Sequence, residues 1–531
     1  MATGHTMTWR LIVNGTVIAA VAGALALGSG MRGGVAARAG ASRAASDDSA
    51  LAVAVLASAR GAAPVMCRLA ERTLEGSWGG WGRGTPDDVS DVSGAGRWAT
   101  ARHPANFAVP VLARGMEDDD DCVRGVAARL IARATAAEVD AAVVPLLRSS
   151  AAGTRVAASV ALGLAESEAA TAALVARLGD EVARVRLASA WALGRVGSLV
   201  AVPPLRGVLR DPDAGVRAAA ARSLGELEDT AAVDALARAL RSDASEDVRV
   251  AAAEALGRME AKRGVPALAA ALADQSVQVR RTAAWALGQI EDKGSVAALA
   301  RALTDGDEDV RETAVWALGQ IEDAAAVPPL VERLGHDDRP AVRRKAAWAL
   351  GQIEDKSSAG ALGAALRGDG DAEVRRTAAW ALGQIEDAGS VTDLAGALSD
   401  SSEQVRTVAA WALGQVGPRR APDALVRALA HDTAEVREKA AWALGQIGDA
   451  AAVPALKTAL ADPESKVRRT ALWALGQLDS DAARAAIVDA LRDGDPEVRA
   501  RAARALGGGH AEPRPEPMPM PEPRPFPGPD E

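Results

Sequence analysis

The segment Ala-Ala-Trp-Ala-Leu-Gly-Gln-Ile at residues 283–290 decides the fold, because close copies of it recur along the chain. The copies place a tryptophan every 31 or 32 residues, at Trp285, Trp316, Trp348, Trp380, Trp411, Trp442 and Trp473. Continuing at the same period in both directions extends the repeat to thirteen units, over residues 104–508. A period of this length indicates small units of supersecondary structure that stack on their neighbours.

Each unit has the pattern of two helices. In one unit, apolar residues recur at helical spacing from Ser295 to Leu303, and Ser295 is expected to cap the first helix. The Thr-Asp-Gly-Asp sequence at 304–307 predicts a turn. A second helix with one apolar stripe is expected from Asp309 to Ile321. Because so small a hairpin cannot bury its own apolar face, we expect an all-α fold, a right-handed α-solenoid of two-helix repeats.

Most units also carry an aspartate in the turn and an arginine six residues later, near the start of the second helix. Only the pairs Ser149/Arg155 and His431/Arg437 depart from this pattern. In the central units the pairs are Asp274/Arg280, Asp305/Arg311, Asp337/Arg343, Asp369/Arg375 and Asp400/Arg406.

Together with the period and the helix pattern, these pairs resemble the Asp/Arg ladder of HEAT repeats, and the array also resembles the phycobilisome-lyase type of this repeat. The resemblance implies a structural role in which the side chains bridge adjacent units through the planar guanidinium fork. A track of arginines that binds anions is the alternative interpretation.

On the second helix, Arg281, Trp285 and Gln289 share one side, opposite the apolar stripe. Ala284 and Gly288 lie beside them and form a groove of small residues. A tryptophan lying over this groove in a neighbouring unit would explain a glycine inside a helix, where it costs about 1 kcal/mol relative to alanine. On this interpretation the tryptophans are packing residues.

The same segment resembles the third-helix segment of armadillo repeats in nuclear import receptors. There a tryptophan, and an asparagine one turn later, line the concave surface and hold an extended peptide by its backbone. The resemblance implies a peptide-binding Trp/Gln strip in which glutamine replaces asparagine. The strip comprises Trp285, Gln289, Trp316, Gln320, Trp348, Gln352, Trp380, Gln384, Trp411, Gln415, Trp442, Gln446, Trp473 and Gln477. Packing and peptide binding both remain open.

The residues one turn before the tryptophans are mixed in charge, so the strip does not predict a simple anionic or cationic partner. They are Arg281, Glu312, Arg344, Arg376, Thr407, Glu438 and Arg469. The formal net charge of −9 also argues against a general nucleic-acid binder. A protein or an extended peptide is therefore the expected partner.

Some related repeats belong to enzymes. The HEAT-like deoxyhypusine hydroxylase uses His-Glu pairs to hold two irons, whereas none of the five histidines here is followed by glutamate. We therefore predict a scaffold without catalytic residues, metal or cofactor, which binds its partner along the concave face. A HEAT-like metal-dependent hydroxylase, a bilin-lyase-type enzyme and a structural spacer are the alternatives.

The flanking segments differ in composition from the array. Residues 1–45 contain an apolar run at 11–27, which predicts a signal peptide or an N-terminal membrane anchor, although Arg32 and Arg38 follow it. Residues 46–103 are expected to form an irregular helical cap and a loop rich in Gly and Trp. The array follows over 104–508, and residues 509–531 form a Pro-rich tail that cannot be helical.

The N-terminal run predicts a protein of the periplasm or cell envelope that is either exported or tethered to the membrane through its N-terminus. A cytoplasmic array is the alternative. The chain has two cysteines, Cys67 and Cys122. Their separation does not match a metal site. Two buried free thiols are the simpler expectation, and a disulfide is the alternative if the chain is exported.

Overall fold

The computed structural model describes residues 108–478 and 480–506, together with Ala52, Val53 and Leu56. This part of the chain contains twenty-six α-helices in thirteen consecutive pairs and no β-strand. The predicted all-α solenoid of two-helix repeats is thus confirmed. We call the first helix of each pair the A helix and the second the B helix. The described residues divide into two compact units, one up to Ala267 and one from Leu268.

In the first unit the A helices have odd numbers and the B helices even numbers. Their bounds are α1 Val109–Gly115, α2 Asp121–Ile131, α3 Ala136–Val143, α4 Ala152–Leu164, α5 Thr171–Arg177, α6 Ala183–Val196, α7 Val202–Val208, α8 Ala214–Glu226, α9 Val233–Ser242 and α10 Glu246–Arg258. Helix α11, Val265–Ala271, contains the point at which this unit ends.

The second unit continues the same alternation. Its helices are α12 Val277–Ile290, α13 Val296–Ala302, α14 Glu308–Ile321, α15 Val327–His336, α16 Pro340–Ile353, α17 Ala359–Gly368, α18 Ala372–Ile385, α19 Val391–Ala397, α20 Glu403–Val416, α21 Asp423–His431, α22 Ala434–Ile447, α23 Val453–Ala459, α24 Ser465–Gln477, α25 Asp481–Asp489 and α26 Pro496–Leu506.

The start of the A helix differs from the sequence prediction. A 3-10 turn, Lys293–Ser295, precedes α13, and the Asp292 carboxylate caps it by accepting the backbone N–H of Gly294 at 2.8 Å. The buried Ser295 hydroxyl donates to the Asp292 carbonyl at 2.7 Å and caps nothing. The expectation that Ser295 caps the first helix is therefore wrong, because an aspartate three residues earlier already holds the turn.

Many B helices end in a left-handed residue, which in seven repeats is a glutamate with φ near 50°. These are Glu166, Glu228, Glu260, Glu291, Glu322, Glu354 and Glu386. Three further repeats place glycine there, at Gly197, Gly417 and Gly448. A left-handed conformation costs a non-glycine residue roughly 1–2 kcal/mol, so the tight reversal from B helix to next A helix is imposed by packing.

Within each unit, every B helix packs against the B helix of the next repeat. In the second unit, each of six tryptophans of the Trp/Gln strip lies on a glycine of the preceding B helix. The pairs are Gly288 under Trp316, Gly319 under Trp348, Gly351 under Trp380, Gly383 under Trp411, Gly414 under Trp442 and Gly445 under Trp473. This is the arrangement that the groove of small residues indicated.

The approach at these glycines leaves no room for a side chain. A Cβ atom on Gly351 would lie 2.7 Å from Cζ3 of Trp380 and 3.0 Å from Cα of Ala381. Gly351 has an ordinary helical conformation, so its backbone does not require glycine. Glycine is required there because the neighbouring helix lies so close.

At the N-terminal end of the first unit, Leu56 is buried against α1. A Cβ atom on Gly115 would lie 2.8 Å from Cδ1 of Leu56. The remaining residues of the predicted cap and loop, the N-terminal segment 1–45 and the tail from 509 lie outside the described residues. Among the helices that the structure does describe, none combines the length and the apolar character needed to cross a membrane.

Cys122 corrects a sequence expectation. Its side chain is buried at the start of α2 and is disulfide-bonded, so the expected pair of free thiols is wrong. Cys67 is the one other cysteine of the sequence and lies outside the described residues. Spacing along the chain could not reveal that Cys122 is bonded, because disulfide connectivity cannot be deduced from sequence alone.

The glycine contacts yield a matched pair of variants. Gly351→Ala should destabilise the protein by about 1–3 kcal/mol, because the added methyl group overpacks the contact with Trp380. Gly476→Ala is the control: it occupies the same place on α24, nothing lies within 4 Å of its Cβ position, and Arg504 replaces the covering tryptophan. This control should be neutral or stabilising by up to about 1 kcal/mol.

Equilibrium urea unfolding, followed by far-UV circular dichroism, measures both variants. Equal destabilisation by the two substitutions would contradict the assigned role of the glycine contact.

Candidate functional site

The tryptophan rings of the strip are mostly buried. Trp348, Trp380, Trp411 and Trp442 are buried, and Trp380 is only 2% exposed. Trp285, Trp316 and Trp473 are half-buried. The faces of these rings are therefore occupied by packing between repeats. This geometry favours the packing interpretation of the tryptophans, and the sequence could not decide it because a helical wheel places a side chain on a face without giving its direction.

The glutamines of the strip lie in a different environment. Gln289, Gln446 and Gln477 are exposed, and Gln320, Gln352, Gln384 and Gln415 are half-buried. The structure gives none of these seven side-chain amides a hydrogen bond within the described residues. Each amide has two N–H donors and a carbonyl acceptor. The strip therefore presents a row of unused hydrogen-bonding groups, one per repeat, beside the buried rings.

Two buried indole N–H groups are also without a partner among the described residues. They belong to Trp348 and Trp442. A buried N–H group without a hydrogen bond costs roughly 1–3 kcal/mol. Burial of Trp348 and Trp442 therefore carries a free-energy cost from an indole N–H group without a hydrogen bond.

Some charged residues of the row one turn before the tryptophans form ion pairs within the array. Glu312 pairs with Lys345 of the next repeat at 2.7 Å, and burial lowers the pKa of that lysine although Glu312 opposes the shift. Arg469 pairs with Glu497 at 3.2 Å. Lys345 lies one position beyond the row that the sequence analysis considered, so this pair was missed.

In the first unit the strip changes character. Arg222 and Glu254 occupy the places of tryptophans in consecutive repeats, and Nε of Arg222 lies 3.6 Å from Oε2 of Glu254. The side chain of Glu254 is buried. A charged pair between α8 and α10 thus replaces the aromatic contact between B helices. The continuous row of tryptophans and amides belongs to the second unit.

The Asp/Arg ladder connects consecutive repeats within each unit. Nε and Nη2 of Arg343 donate to the two carboxylate oxygens of Asp369 at 2.7 and 2.9 Å, and its Nη1 donates to the Asp337 carbonyl at 2.9 Å. The arginine thus binds the backbone of its own repeat and the carboxylate of the following one. The carboxylate pairs with this geometry are Arg155–Asp180, Arg186–Asp211, Arg217–Asp243, Arg280–Asp305, Arg311–Asp337, Arg343–Asp369, Arg375–Asp400, Arg406–Asp432, Arg437–Asp462 and Arg468–Asp493.

The two departures from the sequence pattern have a structural explanation. At His431 the carboxylate is supplied one residue later, since Asp432 accepts from Arg406 at 2.8 Å. At Ser149 the backbone carbonyl accepts from Arg155 at 3.0 Å, and the hydroxyl accepts the Ala151 backbone N–H at 3.2 Å. Arg124, which would reach a carboxylate at that position, pairs with Asp121 of its own helix.

The ladder arginines do not form an available anion track. All three donor nitrogens of the guanidinium are bonded in each of these pairs, and the side chains are largely buried. Asp305 shows how fully the acceptor is used, because the oxygen that binds Nη2 of Arg280 also accepts the Asp307 backbone N–H at 2.9 Å. One carboxylate therefore holds a turn and joins two repeats.

These contacts shift the titration of the aspartates. Burial alone would raise the pKa of the Asp337 carboxyl. Hydrogen bonds from the Arg311 guanidinium and the Arg339 backbone N–H, with the charge of Arg311, outweigh burial and hold that pKa below its ordinary value. The pKa is lowered in the same direction at Asp180, Asp211, Asp243, Asp305, Asp369, Asp400, Asp432 and Asp462.

The described residues contain no group of three or more His, Cys, Asp or Glu side chains that could hold a metal ion. The two described histidines, His336 and His431, are exposed at the ends of α15 and α21.

Comparison with protein families identifies the repeat. The HEAT repeat family model matches residues 180–257, 201–283, 265–351, 297–382, 328–405, 359–442, 391–470 and 458–512. These matches cover more than half of the chain, which therefore belongs to the HEAT-repeat family. A comparison with curated protein sequences finds no match.

Solved structures of HEAT proteins resemble the chain. Importin β, crystallised in ammonium sulfate, is 15% identical over 84% of this chain and 73% of its own, with a TM-score of 0.56, which is a likeness of fold alone. Kap95p in its RanGDP complex is 15% identical over 75% of this chain, with a TM-score of 0.49, and the chain spans 66% of its length. Human deoxyhypusine hydroxylase is 29% identical over 48% of this chain and 99% of its own, with a TM-score of 0.23.

The lowered pKa of the ladder aspartates predicts a loss of stability in acid. A carboxylate whose pKa is depressed in the folded state stabilises it fully above the ordinary aspartate pKa of about 3.9, and this contribution is lost as the pH falls through the folded value. The melting temperature should therefore fall steeply below about pH 4, beyond the loss expected from carboxylates without partners.

Asp337→Asn tests this assignment at one rung. Removing one charge from so buried a pair costs about 3–5 kcal/mol, so the variant should be less stable at pH 7 and lose less on acidification. Melting curves between pH 7 and pH 2 measure both effects. An acid loss as large in the variant as in the parent would exclude the rung as its source.

Proposed function

We propose that the protein is a non-catalytic scaffold that binds an extended segment of a partner protein along the glutamine row of the Trp/Gln strip. The observation that carries the proposal is the row itself: seven side-chain amides, one per repeat, without hydrogen bonds inside the described structure. The tryptophans hold the spacing of the row, and the amides are the groups left for a ligand.

The spacing of the row matches an extended chain. Packed helices lie about 8–10 Å apart, and the glycine contacts allow consecutive B helices of the second unit to approach closely. An extended peptide advances about 3.3 Å per residue. Each repeat therefore accompanies about three residues of a bound segment, and one glutamine per repeat can donate to and accept from its backbone.

The chemistry of the row favours a peptide over a charged polymer. Amides are neutral, and four of the six charged residues in the neighbouring row, both glutamates included, are held in ion pairs. Such a surface attracts neither a polyanion nor a polycation strongly.

The expected result is selection of binding peptides whose affinity depends on the glutamines. A random peptide library would be selected against the full chain, and fluorescence anisotropy would then give Kd for the best peptides. Gln352→Ala/Gln384→Ala/Gln415→Ala removes three hydrogen-bonding groups worth about 0.5–1.5 kcal/mol each, so Kd should rise at least about tenfold.

Gln275→Ala/Gln404→Ala is the matched control, because both glutamines are exposed and lie outside the strip. It should leave Kd unchanged. Trp380→Ala is unsuitable as a binding probe, since removing so buried an indole should cost about 3–5 kcal/mol of stability. Peptides that bind the triple variant as tightly as the parent would contradict the proposal.

The enzymatic alternatives have a separate test. A HEAT-like hydroxylase would contain iron, so elemental analysis of the protein purified without chelators distinguishes the classes. Stoichiometric iron would overturn the scaffold proposal. A structural spacer would select no peptide from the library above.

We also propose that the array acts outside the cytoplasm, exported or anchored through residues 1–45. The disulfide at Cys122 supports this location, because disulfides persist in oxidising compartments and are rare in the cytosol. Protein taken from the source cell with thiols trapped by maleimide should be unlabelled until it is reduced. Labelling before reduction, together with recovery in the cytosolic fraction, would place the array in the cytoplasm instead.

A further inference from the structure

Arg499, the last arginine of the ladder, is held by backbone carbonyls, but no described carboxylate binds its guanidinium. Nη1 of Arg499 donates to the carbonyls of Asp493 and Gly494, at 2.6 and 3.0 Å, as the other ladder arginines do in their own repeats. In those repeats Nε and Nη2 bind an aspartate of the following repeat. No described repeat follows α26, the side chain is exposed, and no carboxylate of the described residues pairs with Arg499. A guanidinium fork is thus held in place for a carboxylate.

The same end of the second unit exposes two leucines, and one of them, Leu506, occupies a position that other repeats bury. Leu506 is 39% exposed, whereas its counterparts Leu413, Leu444 and Leu475 are at most 1% exposed. Leu491 is 38% exposed, and its counterparts range from Leu303, 1% exposed, to the half-buried Leu460. In the other repeats a further helix pair follows, whereas no described pair follows α26. The end of a solenoid normally carries polar residues instead.

The chain itself continues from this surface. Residues 507–531, which lie outside the described residues, begin directly after Leu506 with three glycines. They contain five acidic residues and two arginines, a formal charge of −3, and α26 carries Arg499, Arg501 and Arg504. They also contain the apolar residues Met518, Met520 and Phe526. This segment therefore supplies both groups that the open end lacks.

We propose that residues 507–531 fold back and cap the C-terminal end of the array. A carboxylate of Glu512 or Glu516 takes the place of the missing ladder aspartate on Nε and Nη2 of Arg499. The methionines and Phe526 cover Leu491 and Leu506. This inference is independent of the peptide-binding strip.

The length of the segment permits this return. Arg499 precedes Leu506 by seven residues of helix, about 10 Å at 1.5 Å per residue. Glu512 follows Leu506 by six residues, which reach about 18 Å in the extended conformation of a Pro-rich chain. The three glycines can adopt the reversal at little steric cost.

Hydrogen exchange of the full chain and of a form that ends at Gly509 tests the cap. Removing the segment uncovers the last repeat, and the amides of α25 and α26 should exchange about 5- to 30-fold faster, the change that one or two kcal/mol produces. Amides of α18 and α20 serve as the internal control. Unchanged exchange in α25 and α26 would overturn the proposal.

The carboxylate is tested in the full chain by Glu512→Gln/Glu516→Gln, with Arg501→Gln as the matched control on α26. Arg501 pairs with Glu497 of its own helix at 3.0 Å and has no part in the proposed contact. The glutamine variant should accelerate exchange at α26, as Arg499→Gln should, and the Arg501 variant should not. Equal effects of all three variants would contradict the carboxylate contact.

A photo-reactive benzoyl-phenylalanine in place of Leu491 identifies the occupant. Cross-links to residues 510–531 within one chain, at a yield independent of protein concentration, are expected. Cross-links between chains would show that a second copy covers the end, and cross-links to any other segment would show a different cap. Either result would overturn the proposal.

Discussion

The contact between six of the tryptophans and the glycines of the preceding B helices is the constraint on which the second unit depends. It fixes how closely two B helices approach, because a Cβ at the glycine would overlap the indole ring. It buries the largest side chains of the repeat. Since a single helix pair cannot bury its own apolar face, this contact converts a series of marginal hairpins into a stable array.

The ladder supplies a second, independent point of attachment between the same repeats. Packing of Trp380 on Gly351 sets a distance, and the fork of Arg343 on Asp369 sets a rotation, because two parallel hydrogen bonds to one carboxylate have a direction. The Asp369 carboxylate also accepts the Asp371 backbone N–H and so shapes the turn before α18. Turn, helix start and repeat stacking are therefore coupled through one side chain, and the ladder extends this coupling from repeat to repeat.

Much of this arrangement was predictable from the sequence, because a repeated pattern reports the same contact many times. The period gave thirteen helix pairs, B helix α14 begins one residue from its predicted start, and the Asp/Arg ladder bridges repeats as the HEAT resemblance implied. The predictions that failed depended on the direction in which a side chain points, which a sequence pattern does not contain. Ser295 turns inward, and Asp432 replaces His431 by a shift of one residue. The Lys345 ammonium reaches back to Glu312, and the partner of Cys122 is set by folding alone.

The different roles of the residues within a repeat also determine how a scaffold of this kind would discriminate between partners. Tryptophan, glycine and the ladder are fixed by packing, and the glutamine row is uniform, so neither can favour one peptide sequence over another. The row one turn before the tryptophans does vary, but Glu312, Arg376, Glu438 and Arg469 are held in ion pairs. Arg281 and Arg344 are half-buried and have no ion pair among the described residues. If the glutamines bind the backbone of a partner, selectivity rests on these two arginines. Because they lie two repeats apart, they favour a peptide with two acidic side chains about six residues apart.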